Sequence, residues 1–340
     1  MEKKVFNVGL IGAGRGIGLL HAKAVFETKG AKLLWVCDPD NEATAKVAAD
    51  YDVPNTTADY KEVLADDTVD AVIIATPDQL HREMIQDSLA AGKHILCEKP
   101  LALTREDIEA IVSAVKKSDK IFMVGQLCRY TPGFVEAKKV VDSGAIGELT
   151  FIESEYAHDY THILVGNTWR CDPLRNGVVG GGCHAVDLLC WVSGEDPELI
   201  TAYGTHKTFS ELTPYDDTHV AIMKFPSGTI GKVMTSISCR RDYTMRSVFY
   251  GTKGTIITDN TSPSMRVFRM NETGGRDVED VPLGVNNHNV GGEFADFYDC
   301  VVNGKPLTTT VLDGANTIAA CLAIVESANT SETVKPEYFK

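Results

Sequence analysis

The residues of this sequence that can do chemistry begin with a glycine run. Gly12-Ala13-Gly14-Arg15-Gly16-Ile17-Gly18 follows an apolar stretch and opens a helix-like one. Glycines there let the backbone turn tightly and approach a pyrophosphate, which then sits on the helix N-terminus. The strict G-x-G-x-x-G spacing is broken, because position 17 is Ile and the glycines fall at 16 and 18. The loop therefore carries one extra residue, and an ordinary tight strand-to-helix turn remains the alternative. Asp38 stands twenty residues after Gly18, at the end of a second strand-like run. A carboxylate there accepts hydrogen bonds from the adenosine ribose hydroxyls and repels a 2′-phosphate, which favours NAD over NADP. Arg15 would soften that preference by pairing with a phosphate. Asp38 can also cap the next helix, with Pro39 at its first position, and the two roles coexist.

Lys99 ends another strand-like run, "KHILCEKP". Ligands bind at the carboxyl ends of parallel strands. A lysine there can hydrogen-bond a cofactor ribose and a reacting hydroxyl, stabilising alkoxide charge as it develops. Otherwise it is simply solvated. Glu98 either orients Lys99, touches the ribose, or makes a surface ion pair. His184 follows Gly180-Gly181-Gly182, expected to be a flexible run, and starts the apolar "AVDLLCW". It is a proton acceptor of suitable ordinary pKa or a packed residue capping a helix. "EYAHDYTHILVGNTWRCDPLR" offers Tyr156, His158, Asp159, His162, Trp169 and Arg170, dense enough in polar and aromatic groups to hold a polyhydroxylated ring. Arg129, beside Tyr130, is either a substrate residue or an inter-domain ion pair. His158, Asp159 and His162 have a spacing compatible with a metal, but hydride chemistry needs none and no metal is expected.

These groups need a scaffold, and the hydrophobic pattern outlines it. Up to about residue 126, short apolar runs alternate with helix-like ones: "KVFNVGLIG", "KLLWVCD", "VDAVIIATP", "KHILCEKP" and "KIFMVGQ" as strands, with helices between. "TREDIEAIVSAVKKS" is one such helix, with Thr104 as its N-cap. Strands apolar on both faces imply a parallel sheet covered by helices. "PGFVEAKKVVDSGAIG" is one more helix, ending at Gly144. From about 149 the runs alternate, as in "LTFIESEYAH" and "DTHVAIMKF", with turn signals between them. This predicts a large open, mostly antiparallel sheet. "GEFADFYDCVVNG" and "DGANTIAACLAIVESANT" end the chain as helices, and "RMNETGGRDVEDVPLGVNN" is expected to be a mobile loop. The fold class is thus α/β, with a doubly wound Rossmann domain over 1–126. A second α/β domain over 127–340 would bind substrate and oligomerise, its final helices free to pack back on the first.

The bulk numbers agree. The chain has 340 residues, enough for two domains. Its apolar fraction of 44% and charged fraction of 24% suit a globular protein with a large core. A net charge of −14 argues against nucleic acid or an anionic membrane as main partner. The start, "MEKKVFNVGLIGAG", is not expected to be a signal peptide. No apolar stretch is expected to span a membrane, and a cytoplasmic location follows as an expectation. Nine cysteines include no C-x-x-C pair and are expected to be mostly buried thiols.

Taken together, "GLIGAGRGIGLLHA" with His21, "VDAVIIATPDQLH", "AAGKHILCEKPLALT", "LCRYTPGFVEAKKVVDSGAIGEL", "GGCHAVDLL" and "EFADFYDCVVNGKP…DGANTIAACLAIVESA" resemble the glucose–fructose oxidoreductase/inositol dehydrogenase (Gfo/Idh/MocA) family across essentially the whole chain. Glu98-Lys99-Pro100 is the most specific element. The resemblance implies NAD-dependent hydride transfer at a secondary hydroxyl of a sugar, sugar derivative or inositol, with Lys99 and His184 catalytic. It implies a cis Lys99–Pro100 bond and a Trp-Arg pair, here Trp169 and Arg170, near the nicotinamide. Thr76, Pro77 and His81 would lie over the adenine and ribose side, with His81 equally a simple helix-start residue; Gln126 joins them, Glu98, the loop residues and Asp38 as cofactor contacts. Arg129, Tyr156, Trp169, Arg170 and Asp187 would meet substrate. The family has an aspartate four residues before the histidine, where this chain has Gly180. Either Asp187 takes over as the orienting carboxylate, or His184 works without one. A second reading is a glycosidase with tightly bound NAD that transiently oxidises its sugar, and a third is a non-catalytic cofactor-binding sensor. A homodimer or homotetramer is expected, because a large antiparallel sheet needs its outer face covered.

Overall fold

A computed structural model describes residues 5–166, 169–285 and 287–340. The first four residues of the "MEKK" start, Asn167 and Thr168 of the substrate stretch, and Asn286 of the expected loop lie outside it. The chain divides into two compact units: Met1–Gln126 with Val290–Ala315, and Leu127–Asn289 with Asn316–Lys340.

In the first unit, strands and helices alternate: β1 (Phe6–Ile11), α1 (Ile17–Glu27), β2 (Ala31–Cys37), α2 (Asn41–Tyr51), β3 (Asn55–Thr57), α3 (Tyr60–Ala65), β4 (Ala71–Ile74), α4 (His81–Ala90), β5 (His94–Cys97), α5 (Arg105–Lys117) and β6 (Phe122–Val124). The sheet order is β3-β2-β1-β4-β5-β6, and all its pairs are parallel. This is the doubly wound order in which ligands bind outside the carboxyl ends of the strands, near the reversal between β1 and β4. All four residues of β4 are buried, as a strand covered on both faces requires. The Thr104 hydroxyl caps α5 by accepting from Asp107 N, and Lys116 and Lys117 complement the helix dipole in its last turn.

The second unit contains α6 (Pro132–Asp142), β7 (Leu149–Ala157), the short α7 (Thr161–Leu164), α8 (Cys183–Ser193), β8 (Leu199–Thr205), β9 (Thr218–Lys224), β10 (Ile230–Ser236), β11 (Thr244–Gly251), β12 (Gly254–Asp259), β13 (Ser264–Met270) and β14 (Arg276–Pro282). Its eight strands run β14-β13-β12-β11-β7-β10-β9-β8. Every pair is antiparallel except β7 with β10. In β9 buried residues alternate strictly with exposed or half-buried ones, so one sheet face packs inward and the other is open.

Helices α9 (Val290–Asn303) and α10 (Val311–Thr330) follow. Helix α9 packs on α1 in the first unit. Its Phe297 and Tyr298 rings meet Phe6 edge-on at 6.4 and 5.6 Å.

Three expectations change here. The stretch expected to be a mobile loop forms a hairpin: Asn271–Gly275 turns β13 into β14, with the Asn271 carboxamide accepting from Thr273 N and Gly275 N. The charge of β14 hid its extended, edge-strand character; six of its seven residues are exposed. Helix α10 does reach the length and apolarity of a membrane span, with a hydropathy of 1.3, but 61% of that window is buried, the profile of a core helix. Finally, Gly180–Gly182 is not a flexible run. Val178–Gly182 is a wide, fully buried π-helical turn that leads directly into α8.

Among the described residues the nine cysteines form no disulfide, and six of them are buried.

Candidate active site

In the first unit the glycine loop joins β1 to α1. Gly12 has φ +94°, and a Cβ there would lie 2.5 Å from the Ala75 carbonyl oxygen. At Gly18 a Cβ would lie 2.1 Å from the Gly12 carbonyl oxygen, so only glycine lets the first turn of α1 pack on the loop. No side chain caps α1, which leaves its first-turn N–H groups to an anion. The Asp38 carboxylate accepts from Gly14 N at 2.8 Å and from Asp40 N at 3.0 Å. The cap of α2 is Asp40, which accepts from Ala43 N; Asp38 therefore does not serve as the cap. Arg15 is 89% exposed and pairs with Asp40 at 3.6 Å. Ile17 begins α1 beside Gly16, its N-cap.

Lys99 follows β5, half-buried, and its peptide bond to Pro100 is cis. Its backbone N–H donates to Glu98 Oε2 at 3.2 Å, while Glu98 Oε1 meets His21 Nε2 at 2.9 Å. Glu98 is buried and turned inward. This arrangement fits orientation of Lys99 and not contact with a ribose. His81 follows the helix-start alternative, as the first residue of α4. It is fully buried, and its ring nitrogens face Pro100 O at 3.0 Å and Thr76 O at 3.2 Å. It ties the loop of Thr76 and Pro77 to the residue after Lys99 and offers no atom to a cofactor. Gln126 is 1% exposed, with its side-chain oxygen unpartnered.

In the second unit, His184 lies in the first turn of α8, 3% exposed. Because the π-helical turn runs straight into α8, His184 is not the cap of a free helix end. Its ring stacks on Tyr156 at 6.2 Å and lies 6.2 Å from the His288 ring. The Tyr156 hydroxyl bonds to Tyr160 Oη at 2.8 Å and His158 Nδ1 at 3.2 Å. The Tyr243 ring stacks on His288 at 5.3 Å and lies 4.7 Å from His158. Burial pushes the Tyr156 and Tyr243 hydroxyls well above their usual range. Burial, then His162, His288 and Arg170, push His158 down to about 4, so it is neutral near pH 7.

Asp187 and Arg129, both expected to meet substrate, meet each other. Arg129 Nε donates to Asp187 Oδ2 at 3.0 Å and Nη2 to Oδ1 at 2.7 Å, and Thr317 donates to Oδ1 at 3.2 Å. Both side chains are buried. Asp187 is thus a structural anchor for α8 and does not stand in for a carboxylate at position 180. The space beside Gly180 is filled by a guanidinium, since a Cβ there would lie 2.1 Å from Arg175 Nη1. Arg175 and Arg170 lie against the Trp169 ring at 5.0 and 4.2 Å. Asp159 accepts from the backbone N–H of Thr161 at 2.9 Å and pairs with Arg240 at 3.2 Å. Among the described residues, the group close enough to bind a metal is His21, Glu98 and Glu293, and not the 158–162 stretch.

Residues 6–126 match the profile of the oxidoreductase family with an NAD-binding Rossmann fold, and residues 134–257 match the GFO/IDH/MocA C-terminal domain. The chain belongs to the GFO/IDH/MocA oxidoreductases. The inositol 2-dehydrogenase of Rhizobium meliloti is 32% identical over 75% of this chain and 76% of its own. The myo-inositol 2-dehydrogenase of Thermotoga maritima is 27% identical over 97% and 98%. A levoglucosan dehydrogenase solved with NADH and levoglucosan superposes with TM-score 0.89 at 26% identity, covering 97% of this chain and 99% of that one.

The cofactor of this GFO/IDH/MocA chain is NAD, and the first unit fits it. Gly12 and Gly18 keep the loop close-packed, α1 opens without a side-chain cap, and Asp38, held against the loop by Gly14 N, is a carboxylate that would accept from ribose hydroxyls and repel a 2′-phosphate. Sequence reasoning missed Arg175, Tyr160, Tyr243 and His288 in the second unit and Glu293 in the first. Tyr243 and His288 come from stretches far from 156–170 and carry no local pattern. Glu293 sits on α9, whose return to the first unit was expected only as one possibility, with no residue marked for a role there.

Proposed function

We propose that this chain oxidises a secondary hydroxyl of a cyclitol or sugar, with the reverse reduction available to it. The observation that carries the reading is Lys99 at the carboxyl end of β5, its backbone held by Glu98, in the unit that carries the glycine loop. The glycine loop and Asp38 would hold NAD, which would supply the hydride acceptor for the carbinol carbon. The Lys99 ammonium hydrogen-bonds the hydroxyl oxygen and stabilises the negative charge that grows on it. His184, as the neutral imidazole, takes the hydroxyl proton. The aromatic and hydroxyl lining of Tyr156, Tyr160 and Tyr243 suits a ring with apolar faces and polar edges. The named relatives are inositol and levoglucosan dehydrogenases, which supports a dehydrogenase and does not favour the glycosidase reading.

We also propose a homo-oligomer. On the open face of the large sheet Tyr203, Val220, Ile222, Ile230 and Tyr250 are exposed at 38 to 70%, an apolar patch that a second copy would cover. A cytoplasmic location remains part of the proposal.

The test is NADH formation with inositols, aldoses, sugar acids and aryl glycosides, offered with NAD or NADP. NADH from a free polyol, with NAD strongly preferred, is the expected result. Aglycone release without net NADH would replace the reading with the glycosidase.

A further inference from the structure

The first unit encloses three ionisable side chains, of which the reaction above uses only Glu98, to hold the Lys99 backbone. His21 on α1, Glu98 at the end of β5 and Glu293 on α9 are 0, 4 and 0% exposed. One ligand atom from each lies within 4.8 Å of the others. The His21–Glu98 contact is a close hydrogen bond, and Glu98 also receives the Lys99 backbone N–H. Glu293 has no hydrogen-bond partner on either carboxyl oxygen. The other charged groups facing it are Lys99 and, on its own helix, Asp296, which is paired with Lys305.

Two ionised carboxylates cannot sit side by side in a fully buried pocket; one of them takes a proton. Glu98 has a hydrogen-bonded imidazole and a backbone N–H to hold its charge, and Glu293 has neither. The proton therefore belongs on Glu293. Burial first, then the Glu98 charge, push Glu293 well above the usual carboxylate range, while the hydrogen bond and charge of His21, with Lys99, bring Glu98 below it against the opposing effect of burial. A bound cation is the other way to neutralise the pair, but it would compete with the existing His21–Glu98 contact.

We propose that Glu293 is a neutral carboxylic acid and a positioning residue. With His21 it fixes the Glu98 carboxylate behind Lys99, so that the carboxyl pair carries a single negative charge. This would explain why α9 returns to the first unit. The proposal extends the dehydrogenase reading by naming a residue that acts through Glu98 on Lys99, but its first two tests need no substrate.

Infrared spectra of the unliganded protein at neutral pH should contain a protonated-carboxyl C=O band that E293Q lacks. Raising the pH above the ordinary carboxylate range should progressively destabilise the wild type relative to E293Q. The sign follows because a carboxyl whose folded-state pKa is raised loses its stabilising contribution as pH rises from the unfolded to the folded value. In NADH-linked assays E293A should lose more than tenfold in kcat/KM and shift the pH profile, and E293Q should recover most of both. No acid band, together with no pH-dependent difference in melting, would overturn the proposal, as would a stoichiometric metal in the purified protein. An acid band with no turnover of any polyol would leave the proposed proton in place and sink the dehydrogenase reading instead.

Discussion

His184 is the side chain whose chemistry can be tested most cleanly. Replacing it with Ala removes the proton acceptor and leaves the glycine loop untouched. Turnover should fall by about 10²–10⁴, with NADH binding, followed by fluorescence, unchanged. His158 provides the contrast. Its folded-state pKa of about 4 lies below the ordinary value of 6.5, so the unfolded chain binds the extra proton between those values. Wild-type stability should therefore fall as pH drops from 6.5 towards 4, and H158N should flatten that slope in pH-dependent melting curves. The acid limb of the rate profile should survive in H158N, because a group neutral down to about 4 does not set it. The placement of Lys99 and His184 at element ends was legible in the sequence because each end is punctuated, by the close of a strand or by a glycine run. The pairing of Arg129 with Asp187 was not, because 58 residues separate the two and each alone looks like a polar candidate for substrate.

At the scale of elements, the β1–loop–α1 unit stands or falls on close packing. G18A drives a methyl into the Gly12 carbonyl. NAD affinity should fall by at least about tenfold, equivalent to ~1.4 kcal/mol, as measured by calorimetric titration, while the circular dichroism of the rest of the fold persists. Helix α8 depends on the Arg129–Asp187 pair. D187A leaves a buried guanidinium without its carboxylate and should cost about 3–5 kcal/mol in chemical denaturation; a loss under 1 kcal/mol would show that the pair is not what holds the helix. The strand–helix alternation of the first unit was legible because strands covered on both faces are short and continuously apolar. The β13–β14 hairpin was not, because β14 is an edge strand with a charged, exposed sequence and carries no alternation. The π-helical turn was misread as flexible because glycine marks both mobile loops and close packing. Here it marks close packing, against Arg175, Tyr156 and Thr235.

For the whole molecule, the open face of the eight-stranded sheet decides between monomer and assembly. A charge at Ile222, in the middle of that face, should lower the mass measured by light scattering to that of the protomer, and an unchanged mass would place any interface elsewhere. The two-unit organisation was legible from the change of hydrophobic period near residue 126. The return of α9 was legible only as a possibility, since its packing on α1 is a long-range contact with no local signature. The central claim is that this chain moves a hydride from a secondary carbinol carbon to NAD, and isotopic labelling tests it most directly. With the best polyol from the substrate panel deuterated at its carbinol carbon, the NADH produced should carry one deuterium per turnover. NADH without deuterium, or product without NADH, would contradict the account.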